Sequence, residues 1–547
     1  MARYPTSNQV DDDSHDLQHR ADVLVIGGSI AGCWAALTAR QAGANVVLAE
    51  KGYVGTAGVV AAASGGASHT VPGQAEYNQR IIRDRHDAAC GIDDLAFIEH
   101  VFGQSYEIGL KLKAFGFLPN QGRPGGNRLP GTPERLTTFR GAYTLHFLRT
   151  QLRKAGVRIL DHSPVLELLM ADGRVAGAAG VNRQSGDTWA VRAGAVILAT
   201  GGNAFRSGAM GTNGITGDGH LMAAEAGAHF VGMEYSGHYG IAPQGSPTTK
   251  GFWYGSATFY DAHGRELPIN GWAAVPDIAR AIMETGAAYA SMNRGAAGFS
   301  TFARNNANVF QYFDRIGVDP FTQRFRVELL YEGLVRATGG LVVDERAATG
   351  IPGLYAAGDV TERTRLTGAG MSGAGPAIAW CLVSAEWAGS AAAADAAAYR
   401  RPRGRLEAIG GLGLRPRAKG SVSAAAVGAG VQAEILPISK NVFRSLDSLR
   451  DSLAALDGLW DSARAGLQGG GDLREVLKAR EAASMLAGAR WIYRSAQART
   501  ETRGLHRLAD HPGTDPAQQD HIVVGGVDDV VLRRAPLTRF QPLGQAA

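Results

Sequence analysis

The stretch ADVLVIGGSIAG at 21–32 decides the fold. Its first residues form an apolar run that reads as a buried strand ending in a glycine turn. IAGCWAALTARQAG then reads as a helix closed by Gly43, and NVVLAEK at 45–51 reads as a second strand ending in an acid. This β-turn-α-β order opens a dinucleotide-binding fold. Its glycines let the backbone approach a pyrophosphate and set that group at a helix N-terminus. Ser29 stands at the middle glycine of the usual fingerprint, so GGSIAG alone could be an ordinary tight turn. Glu50 answers this: it lies 23 residues after Gly27 (50 − 27 = 23), where a carboxylate accepts from a ribose diol.

Two later strands choose between NAD and FAD. AVILATGG (195–202) and GLYAAGD (353–359) both read as buried strands ending in glycines. Such a pair far downstream belongs to a two-part FAD site, with Asp359 placed to hold the ribityl chain. Between them, 203–334 is richer in aromatics and asparagine and reads as an insert. VRILDHSPVLELLMADGRVAGAAGV (157–181) reads as strands joined by the turn ADGR. Leu446, Leu449, Leu453, Leu456 and Leu459 recur at helical spacing, and a second helix is expected from Asp472 to Gly504. The expected fold is α/β: a two-part Rossmann-like FAD-binding domain with an inserted α+β capping domain and a C-terminal helical domain. The expected boundaries are a disordered tail (1–20), the first part of the FAD-binding domain (21–202), the capping domain (203–334), the second part (335–400), a linker (401–430) and the helical domain (431–547).

Composition limits the function. Hydrophobic content of 45% against 19% charge allows a large core, and 74 glycines in clusters suit tight turns and close ligand approach. A net charge of +5 without a long basic run argues against nucleic acid; RRPRGR (400–405) reads as linker. Cys33, Cys90 and Cys381 are scattered, with no CxxC or iron–sulfur run, so any iron–sulfur electron carrier must be another chain. Few cysteines, a polar N-terminus and no apolar stretch of about 18 residues lead us to expect a cytoplasmic protein without a membrane span. We expect no metal site.

GGSIAG, LATGG, TGDG (216–219), GLYAAGD and RTETRGLHRLADHP (499–512) together resemble the flavoprotein superfamily of fumarate reductase, succinate dehydrogenase, L-aspartate oxidase and the adenylylsulfate reductase α subunit. The resemblance runs from about 21 to 515. It implies FAD contacts at Gly27, Gly28, Ser29, Ala31, Gly32, Glu50, Lys51, Ala57, Gly58, Ser64, Gly65, Gly66, Val165, Thr200, Gly201, Asp218, Asp359, Pro376 and Ala377. TAGVVAAASGG (56–66) resembles the loop beneath the flavin. Val59 falls where membrane-complex members carry a flavin-linking histidine, and His69 is out of register, so the FAD is expected to be non-covalent.

The resemblance also implies four groups that handle a dicarboxylate. Counting from Gly339–Gly340 puts Val335 at a substrate histidine, with Arg336 beside it. A substrate arginine falls on Met371, the proton-delivering arginine near Trp253 or Tyr254, and a second histidine on His238 or Tyr239. Two carboxylates in a closed pocket need paired cations, so a larger, partly apolar or aromatic substrate is expected. The catalytic candidates are His238, Tyr239, Tyr254, Arg336 and Glu234, with His238 or a tyrosine as acid/base. Each has a bland alternative: Arg336 capping a turn, His238 a core histidine, Glu234 a buried ion-pair partner, the tyrosines packing. Arg499, Arg503 and His506 are expected to be structural. The expected activity is hydride exchange between a small organic molecule and FAD, with electrons passed to a separate ferredoxin-like iron–sulfur protein. The alternatives are an oxygen-using oxidase, a reductase fed by NAD(P)H or free flavin, and a non-catalytic FAD-binding interaction protein.

Overall fold

The computed structural model describes residues 9–10, 17–118, 138–249, 252–268, 274–295, 300, 304, 307–399, 405–415, 422–467 and 472–537. The apolar runs of the sequence become the centre of a nine-stranded sheet. Across it lie, in order, Gln9–Val10, Leu406–Ala408, Val165–Ala171, Arg174–Val181, Thr188–Leu198, Leu17–Ile26, Val46–Ala49 and Arg158–Leu160. Thr188–Leu198 is the pivot. Its first half pairs antiparallel with Arg174–Val181, while its last residues pair parallel with Leu354–Ala356. The chain thus leaves the sheet at Leu198, builds the insert, and returns to the same strand. This is the two-part α/β architecture the glycine-ended strands imply. The ADGR turn is tight because Asp172 and Gly173 both have positive φ (52° and 73°), which suits a two-residue hairpin.

Helices Ile30–Gln41 and Ala374–Tyr399 pack together on this sheet. The second corrects the expectation that no stretch could span a membrane: it is long and apolar enough by composition. Ile378, Trp380, Leu382, Val383 and most of its alanines are instead buried in the main core, which explains its apolarity without a bilayer.

The insert forms its own antiparallel sheet of Tyr239–Pro243, Phe325–Tyr331, Ala288–Ser291 and Thr258–Asp261. Ile241, Tyr254, Phe259, Ile278, Phe313 and Phe325 fill its separate core. A third sheet stitches the parts together, in the order Gly340–Leu341, His229–Val231, Asp520–Gly525 and Val531–Pro536.

The C-terminal region therefore contains two strands besides its helices. Leu446–Gly466 starts at a Ser445–Ser448 capping box and buries Leu449, Leu453 and Leu456. Leu473–Ala498 starts on Asp472, whose carboxylate accepts from the Arg474 and Glu475 N–H groups. It stops six residues before Gly504, because Arg499 turns extended into a buried ion network. The expected N-terminal tail also differs. Gln9–Val10 pairs with the 406–408 strand, and Leu17–Arg20 extends the central strand beside Ala190–Arg192, since their backbone groups find sheet partners there. Residues 1–8 and 11–16 of that tail lie outside the described residues, as do 401–404 and 416–421 of the expected linker.

Candidate functional site

The C-terminal ends of the parallel strands release their loops at one edge of the sheet, where ligands bind in such folds. A cavity of about 1470 Å³ opens there. Its walls include Gly27, Gly28, Ser29, Ala31, Glu50, Lys51, Ala57, Gly58, Val165, Thr200, Gly201, Asp218 and Asp359. Gly32 stands behind the wall and acts through packing: a Cβ there would lie 1.8 Å from the Gly27 carbonyl oxygen, and one at Gly27 would lie 2.2 Å from that of Ala199. The cavity walls do not include Gly65, Gly66, Pro376 or Ala377, and the Ser64 side chain lies outside what the structure describes. Residues 64–66 instead pair as a short strand with Thr138–Arg140, and Gly65 faces Ala374 at the start of the long buried helix. The wall reaches Val59 to Ala62 and stops.

The donor set fits a dinucleotide. Ser29 caps no N–H of the Ile30–Gln41 helix, and that helix has no acid in its first turn. Its leading N–H groups therefore suit a diphosphate. The Thr200 hydroxyl is buried without a partner among the described residues. Glu50 takes the Gly28 N–H on one oxygen and the Gly52 N–H on the other, both at 2.6 Å. Each oxygen keeps a lone pair for a ribose hydroxyl. Lys51 is bound by other acceptors: its ammonium gives to Asp218 at 2.8 Å and Thr216 at 3.1 Å. Asp359 pairs with Arg363. Cys33 donates to the Gly28 carbonyl, and burial pushes its thiol pKa up, so it packs rather than reacts.

Beyond Gly201 the chemistry changes. Val335 packs with Ala204 and Ile215, and Val59 lies against them; Ile215 and Val59 also line the cavity. Thus the two valines at the expected histidine positions share one apolar cluster. Next to Val335, Glu332 gathers the polar groups. Its Oε1 accepts from the Thr249 hydroxyl at 2.7 Å, while Oε2 lies 3.4 Å from His238 Nε2 and 3.7 Å from Arg336 Nε. The structure thus brings together His238 and Arg336 through a glutamate that the sequence reading missed. No motif marks Glu332; only the pairing of strands 239–243 and 325–331 places it there. Burial lowers the His238 pKa, with Glu332 working against the shift, so the ring is neutral near pH 7.

The other candidates lie elsewhere. The Tyr239 hydroxyl donates to the Leu436 carbonyl at 2.9 Å, and burial raises its pKa well above the usual value. Tyr254 belongs to the insert's core and stacks near Phe259. Burial also raises its pKa. The neighbouring Trp253 side chain lies outside the described residues. Glu234 pairs with Arg499 at 2.9 Å, and Arg499 and Arg503 share Glu501. His506 accepts from Arg444 at Nδ1 and donates from Nε2 to the Arg499 carbonyl, both in the Nε2–H tautomer. These groups tie the insert to the C-terminal region. Of the five catalytic candidates, His238 and Arg336 share a site, while Tyr239, Tyr254 and Glu234 do not join it. A further cation, Arg507, acts on His238 from the C-terminal segment, and its Nη1 is buried without a partner among the described residues. Among those residues no cluster of metal-ligating side chains is present.

Residues 22–378 match the FAD binding domain family, and residues 434–529 match the fumarate reductase flavoprotein C-terminal family. The L-aspartate oxidase of Mycobacterium leprae is 27% identical, over 95% of this chain and 98% of its own. One chain of the CoM/CoB fumarate reductase of Methanothermobacter marburgensis is 25% identical, over 92% of this chain and 97% of its own. Among solved structures, an E. coli quinol fumarate reductase mutant superposes with a TM-score of 0.77 at 21% identity, covering 96% of this chain and 98% of that one. The adenylylsulfate reductase of Archaeoglobus fulgidus gives 0.71 at 17% identity, covering 98% and 99%. These two establish likeness of fold.

Proposed function

We propose, for a chain that belongs to the FAD-binding family of the fumarate reductase flavoproteins, a substrate other than a dicarboxylate. The chain is an FAD-dependent oxidoreductase. Bound FAD supplies the two-electron acceptor or donor. The residues of the chain do the rest. Glycine backbone and Glu50 hold the dinucleotide, without a covalent link because Val59 offers no nucleophile. His238, neutral and backed by Glu332, takes or returns a proton at the substrate. Glu332 stabilises the imidazolium that results, and Thr249 keeps the carboxylate turned toward the ring. Arg336 orients one anionic or strongly polar group. The insert excludes water from this ground.

The observation that carries the substrate reading is the pairing of Arg336. Its cation is shared with Glu332, and its neighbour Val335 is apolar and buried. A carboxylate pair would have to compete with Glu332 for that guanidinium. A partly apolar or aromatic molecule with one anionic group fits better. The second reading, a dicarboxylate, draws on the names of the L-aspartate oxidase relatives and on Arg507, whose Nη1 is unpartnered among the described residues. We place electron exchange with a separate ferredoxin-like protein, since three scattered cysteines cannot hold a cluster, and we place the protein in the cytoplasm.

Titration of the holoprotein separates the readings. L-aspartate, succinate and an aromatic monocarboxylate are added in turn while the flavin absorption spectrum is followed. Perturbation by the aromatic acid, and none by the dicarboxylates, is expected. Arg336→Met should weaken that response by roughly 10- to 150-fold, the loss of one charge-assisted hydrogen bond, while FAD content stays at the parent's value. Saturable binding of succinate or L-aspartate would replace the reading with the dicarboxylate one.

A further inference from the structure

One stretch of the FAD cavity wall comes from outside the FAD-binding domain. Asp472, Leu473, Arg474, Leu477, Lys478 and Glu481 line it, and all belong to the cap and first turns of helix Leu473–Ala498. Glu481 is buried. It accepts from the Lys51 ammonium at 2.5 Å and pairs with Arg206. The same ammonium gives to Asp218 at 2.8 Å. Two cations and two carboxylates therefore balance as a quartet, and all four side chains border the cavity. Lys51 directly follows Glu50, whose carboxylate holds the Gly28 and Gly52 N–H groups. The Glu481–Lys51 ion pair, the Lys51–Glu50 chain link and the Glu50–Gly28 hydrogen bond thus join the helix to the glycine turn that receives the diphosphate.

We propose that the first turns of this helix are a clasp on the dinucleotide: FAD leaves the protein only when the Glu481 quartet opens and the helix moves off the cavity. The physical reason is the cost of opening. Withdrawing the buried Glu481 takes a carboxylate from the partly buried Lys51, which keeps Asp218, and from the more exposed Arg206, and this opposes opening. The helix is also anchored from behind: Arg480 pairs with Glu225, Val476 and Leu473 sit in an apolar cluster with Leu166, Val181 and Leu414, and Ala479 is in the main core. Its movement is therefore a displacement of the C-terminal region and not a side-chain flip. Coupling of this kind is reciprocal. If the docked helix slows FAD release, bound FAD must hold the helix in place.

Two measurements test the clasp, and neither depends on the substrate. In the first, holoprotein is diluted and free FAD is separated by ultrafiltration at intervals. Glu481→Gln is expected to release FAD about 10-fold faster or more, the effect of losing a charge on a buried hydrogen bond. Arg206→Gln is expected to act in the same direction and more weakly, since its side chain is 39% exposed. In the second, amide hydrogen exchange over 473–486 is compared in the unmodified apoprotein and holoprotein, with slower exchange expected when FAD is bound. Parental release rates in both variants overturn the clasp. Identical exchange with and without FAD overturns it as well, and that arm stands even if Glu481→Gln fails to fold.

Discussion

The dinucleotide cavity is built mainly from backbone, whereas the ground around Glu332 is built from side chains. In the cavity the decisive contacts are between main-chain atoms. Gly27 and Gly32 let strand, turn and helix pass within contact distance of Ala199 and of each other, and Gly28 leaves room for Val54 and Glu50. Their geometry depends on residues being absent. Around Glu332 every contact depends on a particular side chain being present: the Thr249 hydroxyl, the His238 ring and the Arg336 guanidinium. The first kind of site tolerates almost no added bulk. The second responds sharply to charge.

The largest expected effect tests the first half of this contrast. Gly32→Val puts a branched side chain where a single carbon already meets the Gly27 carbonyl at 1.8 Å. Something in the turn must move, and overpacking of this kind displaces backbone. The purified variant should be colourless, with no flavin absorption at parental protein concentration, even where circular dichroism shows the helices retained. A yellow variant holding stoichiometric FAD would mean that the cavity is not shaped by its main chain.

This contrast also explains what the sequence disclosed. The cavity was legible because its parts are local: a strand, a glycine turn, a helix start and an acid at a fixed distance, all within 21–51. The α/β order, the insert and the C-terminal helices followed from the same kind of short-range pattern. The Glu332 cluster was only partly legible. Arg336 and His238 could be placed by counting from Gly339–Gly340 and from MEYSGHYG, but they are 98 residues apart (336 − 238 = 98), and the glutamate between them carries no motif. Tyr239 was misleading for a related reason. Tyr239 opens its strand just after His238, and its hydroxyl reaches the C-terminal region while the histidine faces Glu332. Glu481 was invisible because its contact depends on two domains docking. Gly65, Gly66, Pro376 and Ala377, implied by resemblance, stand outside the cavity wall.

A middle-sized effect concerns protons. His220 lies in the helix Asp218–Glu225 below the cavity, and its ring contacts the Val360 carbonyl at 3.0 Å. Burial lowers its pKa to about 4, against the opposing pull of Val360 and Asp218. His238 is shifted in the same direction. In the unfolded chain these rings take up a proton as the pH falls below about 6.5, while the folded state resists. The unfolded state then binds more protons, so stability falls as the pH falls. His220 contributes fully above pH 6.5 and loses its contribution on the way down to about 4. That loss is on the order of 3 kcal/mol. Urea melts of the holoprotein at pH 7, 5.5 and 4.5 should show the decline, and His220→Gln should flatten it. An equal slope in both proteins would assign the acid lability to other groups.

The smallest expected effect separates a strand neighbour from a catalytic group. Tyr239 follows His238 in sequence, and a phenol beside the flavin face would be a plausible proton donor. In the structure its hydroxyl instead reaches the carbonyls of Leu436 and Pro437, at 2.9 and 3.3 Å. The ring packs edge-on against Tyr331 at 5.2 Å. Burial holds its pKa well above the usual phenol value, so it stays neutral and hydrogen-bonded at any working pH. Tyr239→Phe keeps the ring and removes one buried donor, leaving two carbonyls that lose one partner each. The cost should be about 1 kcal/mol of stability, read as a small fall in the urea midpoint. FAD content and the response of the flavin spectrum to the bound acid should match the parent. His238→Gln supplies the contrast: it leaves the Leu436 and Pro437 contacts intact but removes the base, so it should lower turnover with little change in the melt. If Tyr239→Phe instead abolished turnover with its melt unchanged, the hydroxyl would belong to the chemistry. The division between the side chains facing Glu332 and those facing the C-terminal region would then have to be redrawn.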